Sequence, residues 1–281
     1  MFRKRNRMIQ IKTEAEVALM REAGLVVGRT LEALRTAAAP GVTTAALDEL
    51  AESSIRDAGA IPSFKGYQPH PGVPPFPGSI CASVNDEIVH GIPGARALRD
   101  GDVISIDCGA ILDGWHGDAA ITVAVGEVPD EVRELMRVCE ESMWRGFAAA
   151  RLGGRVSDIG SAVEAYVRSQ GGYGIVEEYG GHGIGTEMHQ EPHVLNYGRA
   201  GRGPRLQKGL VLAVEPMLTL GGRFTRELDD HWTVSTTDGS PAAHFEHTFT
   251  LTEEGPWVLT ALDGGTSRLE RPAAPGALAD G

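Results

Sequence analysis

The sequence predicts an α+β fold. Helix-like segments come in pairs, and the pairs alternate with groups of short strand-like segments along the chain. One strand group holds Asp113-Gly114, among the strongest two-residue hairpin signals. Paired helices, rather than single helices between strands, argue against a doubly wound parallel sheet.

The elements follow in order. Thr13-Glu14-Ala15-Glu16 reads as a capping box. Val17, Leu19, Met20, Ala23 and Val27 recur at helical spacing, and Pro40-Gly41 stops the helix. A second helix is expected over 44–58, with Gly59 just past its end. Residues 65–79 hold five prolines and read as a loop. Strands are expected over 80–84, 102–111 and 115–125. Two helices follow over 131–151, after Pro129-Asp130, and 157–170, after Ser157. Strands near 174–178, 210–218, 231–236 and 243–252 complete the pattern. The expected organisation is a basic arm (1–12), a single domain (13–263) and a disordered tail (264–281).

Composition limits the function. The chain has 281 residues, 42% of them hydrophobic, enough for a substantial core. A net charge of −12 argues against nucleic acid as the main partner, so no specific DNA is expected. The run Arg3, Lys4, Arg5, Arg7 is a local exception: a solvated tail or an RNA contact. No apolar stretch is long enough to span a membrane, and no apolar region follows the basic start as in a secretory leader. Cys81, Cys108 and Cys139 are odd in number and widely spaced, which predicts reduced thiols in a cytoplasmic protein.

Five residues in short distinctive settings stand out: Asp107, Asp118, His182, Glu215 and Glu246. They imply a two-metal hydrolase if they converge in space. Singly, His182 also reads as a hydrogen-bonded structural imidazole, Glu215 as a strand-end carboxylate and Glu246 as part of a surface strand face. Four carboxylates and one imidazole are too oxygen-rich for a structural zinc site and suit a pair of divalent cations. With Asp113-Gly114 as the loop, Leu112 faces Trp115 and Gly109 faces Asp118. Asp107 then shares a sheet face with Asp118 as a diagonal neighbour, about 7–8 Å away. Two such carboxylates repel each other unless the face is solvated or a cation lies between. Their apolar surroundings favour the cation, because buried unpaired carboxylates are costly.

His182 sits in a collar of glycines, Gly180 to Gly185, that admits backbone or substrate closely. Glu215 ends the apolar run 210–214. Alternation puts His244, Glu246 and Thr248 on one strand face and Phe245, His247 and Phe249 on the other. His90, His116, His189 and His193 are candidates for supporting or substrate-facing roles, each also readable alone as an ordinary hydrogen-bonded imidazole. No GxSxG elbow, P-loop or HExxH is present.

The segments SVNDEIVHGIPG, DGDVISIDCGAILDGWHGDAA, GGHGIGTEMHQEPHVLNYG, LAVEPML and HWTVSTTDGSPAAHFEHT, in this order, closely resemble the type I methionine aminopeptidases in their short bacterial form. The resemblance implies the pita-bread fold shared with prolidase and creatinase: a curved antiparallel sheet, two helix pairs, pseudo-two-fold halves. It implies removal of the initiator methionine from nascent chains when the second residue is small, by a hydroxide bridging two ions of Co, Mn, Fe or Zn. Asp118 and Glu246 would bridge the ions, Asp107 would complete one position, and His182 with Glu215 the other. His90 and His189 would contact substrate, and Tyr67, Phe76, Cys81, Met188 and Trp232 would line the methionine pocket. Glu215 would assist proton transfer. The loop after Tyr67 is longer than the family's, and His231 stands where it often has Gly, so the pocket entrance is where this chain departs. A monomer is expected, with Arg3, Lys4, Arg5 and Arg7 available to the ribosome. Rival readings are a peptidase of this fold cleaving before proline, which usually carries an extra domain, and a non-catalytic ribosome-associated homologue, which typically loses ligands. None of the five is lost here.

Overall fold

The structure is a computed structural model that describes residues 8–269. The basic run at 3–7 and residues 270–281 of the expected tail lie outside the described residues.

Helix α1 spans Glu14–Ala37, α2 Thr44–Asp57, α3 Asp130–Ala149 and α4 Val156–Gln170. The capping box at Thr13 forms: the Thr13 amide donates to Glu16 at 2.7 Å, and the Glu16 amide donates to Thr13 Oγ1 at 3.3 Å. Val17, Met20, Ala23, Val27, Leu31 and Leu34 make the buried stripe of α1, while Leu19 faces outward. Ser157 does not cap α4, which begins one residue earlier. There the Asp158 carboxylate in the first turn accepts the Arg155 amide at 2.7 Å, doing the cap's work from inside the helix.

The chain folds into a curved antiparallel half-barrel sheet and four helices. The large sheet has nine strands. Its path runs Ile61–Pro62, Val103–Leu112, Trp115–Ala124, Glu246–Thr252, Val211–Val214, Gly181–Gly183, Gln190–Val194. Ile80–Val84 adds to Val103–Leu112, and Gly255–Val258 to Glu246–Thr252. Asp113 (φ 50°) and Gly114 (φ 80°) form the two-residue loop, both in the left-handed region that a type I′ turn requires. The resulting register pairs Leu112 with Trp115 and Gly109 with Asp118, as the sequence predicts.

Helix α1 lies against this hairpin almost backbone to backbone. A Cβ on Gly117 would stand 2.8 Å from the Gly24 amide nitrogen, and a Cβ on Gly24 would strike the Leu259 carbonyl oxygen. Alanine is the better helix former by about 1 kcal/mol, but the collision outweighs that gain here. Gly24→Ala is expected to destabilise the protein by about 1–3 kcal/mol, read from the urea midpoint; an unchanged or raised midpoint would contradict the close approach.

Two expected strands break, and both breaks matter for the site. The run 210–218 divides into Val211–Val214, in the large sheet, and Met217–Thr219, in a three-stranded sheet with Ala242–His244 and Gly174–Ile175. The run 243–252 divides likewise, with Ala242–His244 in the small sheet and Glu246–Thr252 in the large one. Pro216 has no N–H to continue the ladder, so the chain leaves one sheet there and joins the other. Phe245 crosses beside it, its amide donating to the Pro216 carbonyl at 3.4 Å. Glu215 and Glu246 therefore sit together at the seam between two sheets.

The expected tail begins too early. Residues 264–269 form turns that pack on α3: Leu269 enters the hydrophobic core, and Arg268 bonds Glu140 and Glu141 while lying 5.1 Å over the Trp144 ring. Sequence composition there is loop-like, but one leucine and one arginine suffice to hold it down. No helix among the described residues is long and apolar enough to cross a membrane.

Candidate metal centre

The five acid and imidazole residues come from distant parts of the chain and line one cavity of about 330 Å³. The hairpin supplies Asp107 and Asp118 on one face, Gly181–Gly183 supplies His182, and the seam between sheets supplies Glu215 and Glu246. His182 Nε2 lies 3.5 Å from Glu215 Oε1 and 4.0 Å from Asp118 Oδ2. Ligand atoms of Asp118, His182 and Glu246 all fall within 4.8 Å of one another.

The glycine collar acts on neighbouring strands. A Cβ on Gly181 would strike the Ala213 carbonyl, and one on Gly183 the Glu191 carbonyl. Bare backbone at both positions lets the strand slot between its neighbours and carry His182 inward. His182 Nδ1 stands 3.0 Å from the Gly183 carbonyl, which can only accept, so Nδ1 holds the proton. The neutral ring therefore turns an Nε2 lone pair toward the acids, the orientation that metal-binding histidines take.

The electrostatics of the bare side chains are unfavourable. Burial pushes Asp107 up to about 7. Burial first, and the charge on Asp107 second, push Glu215 up to about 8. Asp118 and Glu246 rise well above the carboxylate range, from burial and then from neighbouring carboxylates. Burial, with His189 adding to it, holds His182 down to about 3. Asp107 Oδ1, Asp118 Oδ1, Glu246 Oε1 and His244 Nε2 are buried without a hydrogen-bond partner. Orphaned oxygens beside a neutral imidazole are what a divalent cation satisfies, so this donor set fits metal ions.

Beside the acids lies an apolar wall. Phe64, Phe76, Cys81, Met188 and Trp232 form one buried cluster, with Tyr67, Val73 and Ile92 packed against it. Cys81 pairs directly with Asp107 across the sheet, so this wall and the acid centre are contiguous. The proline-rich loop is tied into the wall: Trp232 Nε1 donates to the Pro74 carbonyl at 2.9 Å. His90, at φ 60°, places its ring 6.3 Å from Trp232 and 5.6 Å from Tyr179. The exposed His189 ring lies 4.5 Å from His182 and 3.1 Å from the Tyr67 hydroxyl. His193 borders the mouth.

Among the candidates, His116 is placed elsewhere: it bonds Ser63 Oγ at 3.0 Å and does not line the cavity. His244, Phe64 and Tyr179 were not singled out from sequence for this site. For His244 the signal was present, since strand alternation put it on the face of Glu246.

The profile described as metallopeptidase family M24 matches residues 18–253. The chain is 52% identical over 257 residues to a protein named methionine aminopeptidase from Clostridium acetobutylicum, covering 91% of this chain and 100% of that one. It is 51% identical over 260 residues to methionine aminopeptidase 1 from Mycobacterium tuberculosis, covering 90% and 96%. Among solved structures, the methionine aminopeptidase from Rickettsia prowazekii superposes with a TM-score of 0.86 at 39% identity, covering 90% of this chain and 100% of that one. With the profile spanning most of its length, a shared fold and relatives matched nearly end to end, the chain belongs to metallopeptidase family M24.

Proposed function

We propose that this chain is a methionine aminopeptidase, hydrolysing the bond after an N-terminal methionine when the next residue is small. One observation carries the reading: the acid centre and the apolar wall share a single cavity, joined through the Cys81–Asp107 pair. A methionine side chain is flexible and apolar, and its sulfur gains from aromatic edges such as those of Phe76, Tyr67 and Trp232. Relatives matched over nearly their whole length carry the methionine aminopeptidase name, which favours this over cleavage before proline.

Asp107, Asp118, His182, Glu215 and Glu246 would together hold two divalent ions, of Mn, Fe, Co or Zn. When bound they supply Lewis acidity and an activated water at neutral pH. The chain's own side chains position the substrate. Tyr67, Phe76, Cys81, Met188 and Trp232 hold the methionine side chain and exclude water. His189, anchored on Tyr67, donates to the scissile carbonyl as negative charge develops on its oxygen. His90 holds the scissile amide, and Glu215 relays a proton toward the leaving nitrogen.

This reading places the protein in the cytoplasm, as a monomer acting on nascent chains. It leaves Arg3, Lys4, Arg5 and Arg7 for a ribosome contact. The test is cleavage of a Met-Xaa-Ser series against an Xaa-Pro peptide. Methionine release is expected from Met-Ala-Ser, falling steeply as Xaa grows to Leu. Turnover confined to the Xaa-Pro peptide would overturn it.

A further inference from the structure

His244 has no part in the five-donor centre, yet it is built as though it had. The residue is 1% exposed and ends the Ala242–His244 strand at the seam. Thr122 clamps its backbone from both sides, accepting the His244 amide at 2.9 Å and donating to the His244 carbonyl at 2.7 Å. The ring turns Nε2 toward the acids. Nε2 lies 3.8 Å from Glu215 Oε2 and 3.9 Å from Glu246 Oε2, and it has no hydrogen-bond partner.

These separations are too long for hydrogen bonds. They fall within the 3.5–4.0 Å that separate His182 Nε2 from Glu215 and Asp118. Two donors on one ion, each bonded at about 2.0–2.2 Å, stand roughly 3–4 Å apart. The Glu215 carboxylate thus lies between two imidazoles, Oε1 facing His182 and Oε2 facing His244. A histidine serving only the core would have its buried nitrogen paired, since an orphan costs about 1–3 kcal/mol.

We propose that His244 is itself a metal ligand, forming with Glu215 and Glu246 a further divalent-cation position on the Oε2 side of Glu215. One imidazole and two carboxylates suit borderline ions such as Zn, Co, Fe and Mn. The inference rests on Glu215 and Glu246 being ligands, as proposed above.

Cobalt(II) titration of the full chain, followed by proton NMR, tests it without reference to turnover. Each imidazole bound to paramagnetic cobalt through Nε2 shows one strongly shifted, solvent-exchangeable Nδ1–H resonance. The wild type is expected to show two. His244→Gln is expected to lose one and keep the other, and His182→Gln to lose the opposite one. Equilibrium dialysis should show the weakest cobalt step of His244→Gln displaced by about tenfold or more. A single shifted resonance in the wild type that survives His244→Gln would overturn the assignment and leave the five-donor centre standing. A wild-type chain that takes up no cobalt would overturn the five-donor reading along with it.

Discussion

His182→Ala is expected to lower kcat/KM on Met-Ala-Ser by about a thousandfold or more, several kcal/mol of transition-state stabilisation. Metal content, measured on the dialysed protein, is expected to fall with it. The fold should survive. The imidazole gives one hydrogen bond, to the carbonyl of the next residue, and Gly181 and Gly183 hold their strand by backbone packing that the substitution leaves alone. His182 is the one nitrogen donor of the five, and its lone pair is fixed inward by that bond. Undiminished activity with full metal content would defeat its assignment as a ligand.

The second large effect appears when metal is stripped. Asp107 and Glu215 hold their protons to about 7 and about 8 in the fold, against about 4 in an unfolded chain. Across that window the folded protein binds more protons than the unfolded chain, so its stability falls as pH rises. His182 and His244, both held down to about 3, act in the opposite sense, but only below the unfolded histidine value of about 6.5. Between about pH 6.5 and 8 the carboxylates dominate, opposed only near the top of the range by Lys12, which burial holds down to about 8. Chelator-treated protein is expected to lose about 2–4 kcal/mol over that range, read as a falling urea midpoint. Restoring a divalent ion should reverse the slope, since binding needs the carboxylates deprotonated. A flat curve for the chelated protein would mean that the acids are not held in the strained, protonated state described here.

Much of this was legible in the chain. The Thr13 capping box, the α1 stripe and the Asp113-Gly114 hairpin are local signals, and each appears in the structure where it was expected. The hairpin register then placed Asp107 and Asp118 on one face by counting alone. Other features depend on partners far away in sequence. Gly181–Gly183 has no strand propensity and pairs only because its missing side chains admit the neighbouring backbones. Gln190–Val194 contains Pro192, which argues against a strand, but it lies at the end of the sheet path, where a missing N–H costs little. The division of 210–218 and of 243–252 could not be read from apolar runs that continue across the break. His116 shows the converse: an imidazole among suggestive neighbours that simply pairs with Ser63.

The crossing at Pro216 and Phe245 has a mechanical consequence. Glu215 directly follows Val211–Val214 and Glu246 opens Glu246–Thr252, two strands of the large sheet, and each borders the point where the chain crosses to the small sheet. Their relative position is set by the ladder that pairs His247 with Val214, the residue beside each acid. Ions gathered there would clasp neighbouring strands of the large sheet beside the crossing, whose course Leu218 and Ala243 hold by pairing in the small sheet although neither lines the cavity.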